Sequence, residues 1–349
     1  MPTRLLRGAA AAALLAAAAC GSPTEPGRPP RYEVLFIGAP PDAESFSPRA
    51  VDGRRVYGVA TAGERSWAAV WTPAGFARLA DPPSGCRVEP RAARGGAVVG
   101  QVSCTVADDV YGWGVGAQVP AGRVAAEPHD FRAVSAAGVV GTLYPRTEFP
   151  GGWHRAFRVA GGGVEVLLPP GAEASEAAGI ADDGAVGVTA FTGCTASGCE
   201  GSRIAVLQAG EWRELPVPDG AERAAAVAMS SAGHVLGHAT GGLEQAFVVQ
   251  GRRVRVLPIV PGTRVVLEGV NALGQAVGTG SRADLPGRAP SEGIVWGGGL
   301  QYNLGERLVT EDWQVTSAAA IDDESFIAGT GIERATGRSG AILLIPLGR

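Results

Sequence analysis

The sequence predicts an all-β fold: a seven-bladed β-propeller with four antiparallel strands per blade, closed by an N-terminal strand that pairs into the C-terminal blade. Three observations predict it. A paragraph of four short apolar runs recurs seven times along the chain. No long segment of 3.6-residue period follows residue 20. The chain also begins with a spare run of the fourth kind and ends without one.

The clearest copy is 268–304, EGVNALGQAVGTGSRADLPGRAPSEGIVWGGGLQYNL, with runs at Gly269–Asn271, Gln275–Gly278, Gly293–Trp296 and Leu300–Leu304. Aligned on the glycine ending the second run, the copies fall at Gly58, Gly100, Gly141, Gly187, Gly237, Gly278 and Gly329, about 41 to 51 residues apart, a period typical of propellers and solenoids. Each first run carries an apolar anchor: Val51, Ala92, Val134, Ile180, Met229, Val270 and Ile321. The residue before it is small (Ala50, Ala133, Gly179, Ala228, Gly269, Ala320), and Arg91 breaks that pattern. Turn residues such as Asp182-Asp183-Gly184 separate first from second runs, as hairpins require.

Third runs follow at 67–71, 110–113, 155–159, 203–207, 245–249, 292–296 and 340–344, and fourth runs at 76–80, 123–126, 164–168, 212–217, 254–259 and 300–304. They are short, rich in Val, Ile, Leu and aromatics, and bounded by Gly and Pro, which favours strand over helix. The phase of the repeat predicts closure. Tyr32–Ile37 (YEVLFI) matches the fourth run VRVLPI at 254–259, and the chain ends just after a third run, 341–345. Pairing the two ends removes the exposed edges that an open array keeps, and no polar capping repeats of a solenoid are evident. All 30 basic residues are Arg, so compositional bias is a competing source of the Ala and Gly, but bias alone does not hold four runs in fixed order seven times.

Taken in order, the chain divides at 1–19, 20–31 and 32–349. Arg4 and Arg7 followed by the short apolar stretch Ala9–Ala19 form a signal segment too short to span a bilayer. It ends at Ala17-Ala18-Ala19-Cys20-Gly21, which resembles a bacterial lipobox and implies lipid modification of Cys20. An ordinary secretory signal with a chance cysteine is the competing reading. Residues 20–31 (CGSPTEPGRPPR) form a Pro-rich tether. The expected address is extracytoplasmic, anchored by lipid to a bacterial membrane, with the outer membrane preferred because Gly21-Ser22 lacks an Asp after the cysteine. The 318 or so residues from Tyr32 onward form one domain, large for a single core but divisible into blade-to-blade layers.

The strings HRAFRV (154–159), GVNALGQAVG (269–278) and GHVLGHAT (233–240) resemble the bacterial extracellular HAF-repeat family. The resemblance covers most of 44–345 and implies a secreted repeat protein. It supplies no active site.

Four cysteines remain besides Cys20: Cys86, Cys104, Cys194 and Cys199. An even number in an exported chain favours disulfides. Cys86 lies in a fourth-to-first link and Cys104 after a second strand, and both kinds of loop open on one face. Cys194 and Cys199 share one loop. The expected pairs are therefore Cys86–Cys104 and Cys194–Cys199, with zinc as the alternative despite the lack of C-x-x-C spacing.

Signals of chemistry are sparse. His234 and His238 share a metal only on a helix, since four strand residues span about 13 Å. The pairs Asp182-Asp183 and Asp322-Asp323 recur at equivalent turns, which favours turn chemistry over paired catalysis. Asp108-Asp109 is a weak calcium or catalytic candidate. The glycine string 112–117 fits a dinucleotide fingerprint only nominally, with no helix after it. No nucleophile elbow, phosphate loop or zinc-protease motif occurs. No cofactor or metal is expected. The formal net charge of −4, with Arg spread widely, argues against nucleic acid.

The loops between second and third strands vary most. Tyr144, Arg146, Phe149, Trp153, Phe191 and Arg282 are the candidate binding face, because aromatic and Arg side chains on loops suit recognition; loops that merely tolerate insertion are the competing reading. The expectation is a monomeric, lipid-anchored binding or scaffold protein for a protein or glycan. The alternative is an extracytoplasmic glycan hydrolase or lyase with acids near the channel.

Overall fold

A computed structural model describes residues 28–105, 109–117, 119–120, 124–145, 153–195, 197–241, 244–282 and 291–348. The signal segment, Cys20 and most of the tether lie outside the described residues, as do Asp108, Arg146 and Phe149. Seven antiparallel sheets follow one another in chain order, at 45–80, 86–115, 129–167, 174–214, 223–257, 263–303 and 313–347, here blades 1 to 7. Each packs on the next, and blade 7 packs on blade 1, which closes a propeller ring.

The closure has the expected phase. Arg31–Gly38 pairs antiparallel with Ser339–Leu347, Leu35 opposite Leu343, as the outermost strand of blade 7. Six sheets show four strands; blade 2 shows three among the described residues. Of the fourth run expected there at 123–126, residue 123 lies outside the described residues and 124–126 are not in a strand.

The core is distributed between blades. Each cluster joins two neighbours, for example Val140, Ala156 and Leu167 of blade 3 against Ile180, Val186 and Val188 of blade 4. Blades 6 and 7 meet through Val277, Val295 and Leu304 against Trp313, Val315 and Ile342, with Tyr32 of the closing strand fully buried among them.

The recurring glycine has a steric cause. The first strand of every blade carries a one-residue bulge where register slips against the second strand. Its backbone bows towards the second strand at that point. A Cβ on Gly58, Gly100, Gly141, Gly278 or Gly329 would lie between 1.9 and 2.4 Å from a first-strand carbonyl oxygen. On the other side, Phe157 pairs with Gly141 and Phe247 with Gly237. The aromatic ring of the Ala-Phe string therefore lies over a residue without a side chain.

The bulge also corrects the repeat alignment. In blade 2 the slip falls between Pro90 and Ala92, so Arg91 is the bulged residue and Ala93, not Ala92, is the anchor. With that shift Ala92 precedes the anchor, and Arg91 aligns with Arg49 and Arg132 instead of breaking the pattern.

Both disulfides form as expected, Cys86–Cys104 and Cys194–Cys199. Their cysteines are not in free loops but directly opposite one another across adjacent strands. No helix among the described residues is long and apolar enough to cross a membrane, which leaves strand-built spans unaddressed.

Candidate functional site: the axial channel and its mouth

The first strands of all seven blades surround a cavity of about 640 Å³ on the ring axis. The bulge supplies one lining residue per blade: Arg49, Arg91, Arg132, Ala178, Val227, Glu268 and Ala319. A bulge leaves its extra residue out of the ladder and re-aims the side chain. Three arginines on consecutive blades thus share one level of the channel, with small apolar residues and one carboxyl around the remainder.

Each arginine is held differently. Arg132 Nε lies 2.6 Å from Asp130 Oδ2, and Arg132 Nη2 donates to Tyr144 Oη at 2.7 Å. Tyr144 Oη in turn donates to Asp130 Oδ2 at 3.1 Å, and the backbone amide of Thr142 donates to Asp130 Oδ1. Burial and the Asp130 charge push the Tyr144 phenol up to about 12, so it remains a neutral donor. Arg49 Nε is 3.3 Å from Glu89 Oε1. Arg91 is the least engaged: its nearest carboxylate oxygen, Asp130 Oδ2, is 4.0 Å away, and its buried Nε makes no hydrogen bond.

Beside this belt, His154 Nδ1 meets Glu176 Oε1 at 2.6 Å, and the His154 ring stands edge-on to Tyr144 with centroids 4.9 Å apart. The hydrogen bond from His154 holds the Glu176 carboxyl below its ordinary value. Across the channel, water reaches Glu268, but the surrounding protein desolvates its carboxyl and raises it to about 6, against a smaller opposing pull from Arg49.

The end formed by first-to-second turns is strapped. Arg94 of blade 2 reaches over the axis, with Nη1 2.6 Å from Asp323 of blade 7 and Nη2 2.8 Å from Asp182 of blade 4. Asp323 also accepts from Ser231 Oγ of blade 5 at 2.6 Å and the Ala272 amide of blade 6 at 2.7 Å. Burial opposes its charge, but these partners outweigh burial and lower its pKa. Its neighbour Asp322 takes the amides of Gly53, Glu324 and Phe326, yet burial dominates and raises it to about 6. The Asp pairs are turn residues, as expected, and they also tie six blades together. That second role is not legible in the sequence, because its members meet only in the closed ring.

The expected binding face is only partly assembled. Tyr144 joins the channel wall through its hydrogen bond from Arg132, and Trp153, half-buried, directly precedes His154, whose ring meets Tyr144. Phe191 lies in the strand Val186–Thr195 of blade 4, half-buried, with no ring contact to Tyr144 or Trp153. Arg282 ends the strand Ala276–Arg282, paired at its backbone with Thr263, and its side chain lies outside the described residues. Of the two histidines weighed as a metal pair, His238 is in the strand Val235–Thr240 and His234 is buried at the preceding turn, where burial lowers its pKa.

No protein-family model matches the chain, and no curated protein matches it. Solved structures do. The β-propeller domain of the Trilobed protease from Pyrococcus furiosus is similar at a TM-score of 0.57 and 11% identity, over 87% of this chain and 98% of that one. That domain reveals an open velcro topology, whereas in this chain the N-terminal strand completes the seventh sheet. An acylaminoacyl peptidase in complex with Z-Gly-Gly-Phe-chloromethyl ketone is similar at 0.55 and 10%, over 86% of this chain and 51% of the other. The orthorhombic form of the Pyrococcus horikoshii acylaminoacyl peptidase gives 0.55 and 12%, over 87% and 52%. This chain spans about half the length of the two peptidases. Identities this low show the propeller fold alone.

Proposed function

We propose that the protein is a lipid-anchored extracytoplasmic binding or scaffold protein that recognises a protein or glycan partner through the channel mouth and the loops around it. One observation carries this reading. Among the described residues, Glu89, Asp130, Glu176, Asp182, Asp322 and Asp323 are each engaged by a guanidinium, an imidazole or backbone amides. Glycoside hydrolysis commonly needs two carboxyl groups flanking the bond, one as acid and one as base or nucleophile. Of the carboxyls lining the channel, Glu268 on the belt and Glu324 at the first-to-second turn of blade 7 make no side-chain hydrogen bond or ion pair among the described residues, and of these two only Glu268 stands at the level of the arginine donors suited to holding a ligand. The two disulfides support an oxidising compartment, in keeping with export and anchoring through Cys20.

The alternative, a glycan hydrolase or lyase, is favoured by Glu268 itself, whose pKa of about 6 is that of a usable general base. Screening the mature protein on glycan and surface-protein arrays separates the two. Binding predicts a retained, unmodified ligand that is lost in Trp153→Ala and Tyr144→Phe and kept in Val164→Ser, a change on an outer strand. Cleaved glycan products that vanish in Glu268→Gln would replace this reading with the enzyme.

A further inference from the structure

We propose that the axial channel holds a subsite for a sugar acid, a polyhydroxylated monocarboxylate, with the carboxylate seated on Arg91. This rests on the binding reading above and names the chemistry that the site recognises.

Arg91 stands between Arg49 and Arg132 on consecutive blades, all three re-aimed by equivalent bulges. Arg132 is committed to Asp130 and Tyr144, and Arg49 leans on Glu89. Arg91 keeps donors to spare, with its nearest carboxylate oxygen 4.0 Å away and a buried Nε that makes no hydrogen bond. A guanidinium presents a planar fork that fits a carboxylate through two parallel hydrogen bonds. The cavity of about 640 Å³ is within the range of small-ligand sites.

The acids on the same walls narrow the ligand. Glu89, Glu176 and Glu268 line the cavity with the arginines. They repel a dianion such as phosphate but accept hydrogen bonds from hydroxyl groups. A single negative charge surrounded by hydroxyls therefore fits both sets at once. On the far side of the belt, Ala178, Val227 and Ala319 leave room for a ring and face its C–H groups. A neutral sugar leaves Arg91 unanswered, and an apolar acid leaves the carboxylates without donors.

The probes are D-galacturonate and D-glucuronate, titrated into the mature protein by calorimetry and ligand-observed NMR, with galactose as the neutral comparison and inorganic phosphate as the mineral anion. At least one uronate is expected to bind about tenfold more tightly than either comparison. Arg91→Gln is expected to weaken that binding about tenfold. Val227→Trp, which fills the channel from the opposite wall, is expected to abolish it. Galactose or phosphate binding as tightly as the uronates overturns the proposal, and that comparison needs no variant. So does unchanged uronate affinity in either variant, or no uronate binding at about 10 mM, weaker than any useful recognition. If uronates fail while an array ligand is still lost in Trp153→Ala, the subsite is wrong and the binding reading stands. If no array ligand depends on the mouth either, both fall.

Discussion

Deleting residues 31–38 tests whether the N-terminal strand is a clasp, and its cost follows from what that strand buries. Tyr32 is fully buried and Ile37 nearly so, while Val34, Leu35 and Phe36 pack partly against blades 6, 7 and 1. Full burial of one such side chain stabilises by about 1.5–3 kcal/mol. Two full burials and three partial ones give about 5–8 kcal/mol, against a typical stability of about 5–15 kcal/mol. The strand also anchors the junction of blades 6 and 7: the Val309 amide donates to the Tyr32 carbonyl at 3.0 Å, and Arg31 Nη2 donates to the Leu308 carbonyl at 3.0 Å. Without it, the strand Ser339–Leu347 becomes an open edge over Ile342, Leu343 and Leu344, which are otherwise buried, and an open edge pairs with other chains. At about 2–4 °C per kcal/mol for a domain approaching this size, the truncated protein is expected to melt more than about 10 °C lower, or to elute as aggregates. Circular dichroism melts and gel filtration of the two forms decide it. A truncated protein that stays monomeric and melts within about 3 °C of the intact domain, under 2 kcal/mol by the same conversion, would refute the clasp.

Other outcomes follow from the bulges, the channel and the signal segment. Gly141→Ala places a Cβ 1.9 Å from the Asp130 carbonyl and 2.8 Å from the Phe157 ring; a loss of about 1–3 kcal/mol or more in urea unfolding is expected, and an unchanged midpoint would contradict the steric account of the repeat. Glu268 has a folded-state pKa of about 6 against an ordinary 4.5, so the folded form takes up its proton more readily and stability falls as pH rises from about 4.5 to 6. Glu268→Gln is thus expected to stabilise by up to about 1 kcal/mol above that window, after allowance for channel water, and to give no gain below it; melts at both ends of the range check the sign. Cys20→Ser should release the protein from bacterial membranes, and a mature N-terminus that carries no lipid in the unaltered protein would remove the anchor from the account.

How much could be read in advance follows from what a linear repeat encodes. Strand order, blade number and the clasp were legible because turn glycines and apolar runs recur in phase, and because Tyr32–Ile37 copies a fourth run. Both disulfides were legible from their placement in the repeat, although the cysteines face each other across strands, not loops. First strands begin earlier than their small-residue cores suggest, as in Thr263–Val270, because the residues before the core still pair with the second strand, Thr263 opposite Arg282. The belt was hidden by a single-residue misalignment in blade 2. A bulge adds one residue without changing composition, so Arg91 registered as an exception until pairing with the second strand fixed the phase. The Arg94–Asp323–Asp182 strap was unreadable for another reason: its members are 88 to 229 residues apart and meet only after the ring closes.

The claim at the centre of the account is that recognition takes place at the channel and its mouth. Hydrogen-exchange footprinting, with and without the ligand selected on the arrays, tests it most directly. The account predicts slowed exchange in the first strands Cys86–Arg94, His129–Ser135 and Ala174–Ile180 and around Tyr144 and His154, with the outer strands unchanged. Protection confined to outer strands such as Gly163–Leu167 and Arg253–Leu257, with the channel strands exchanging as in the free protein, would contradict it.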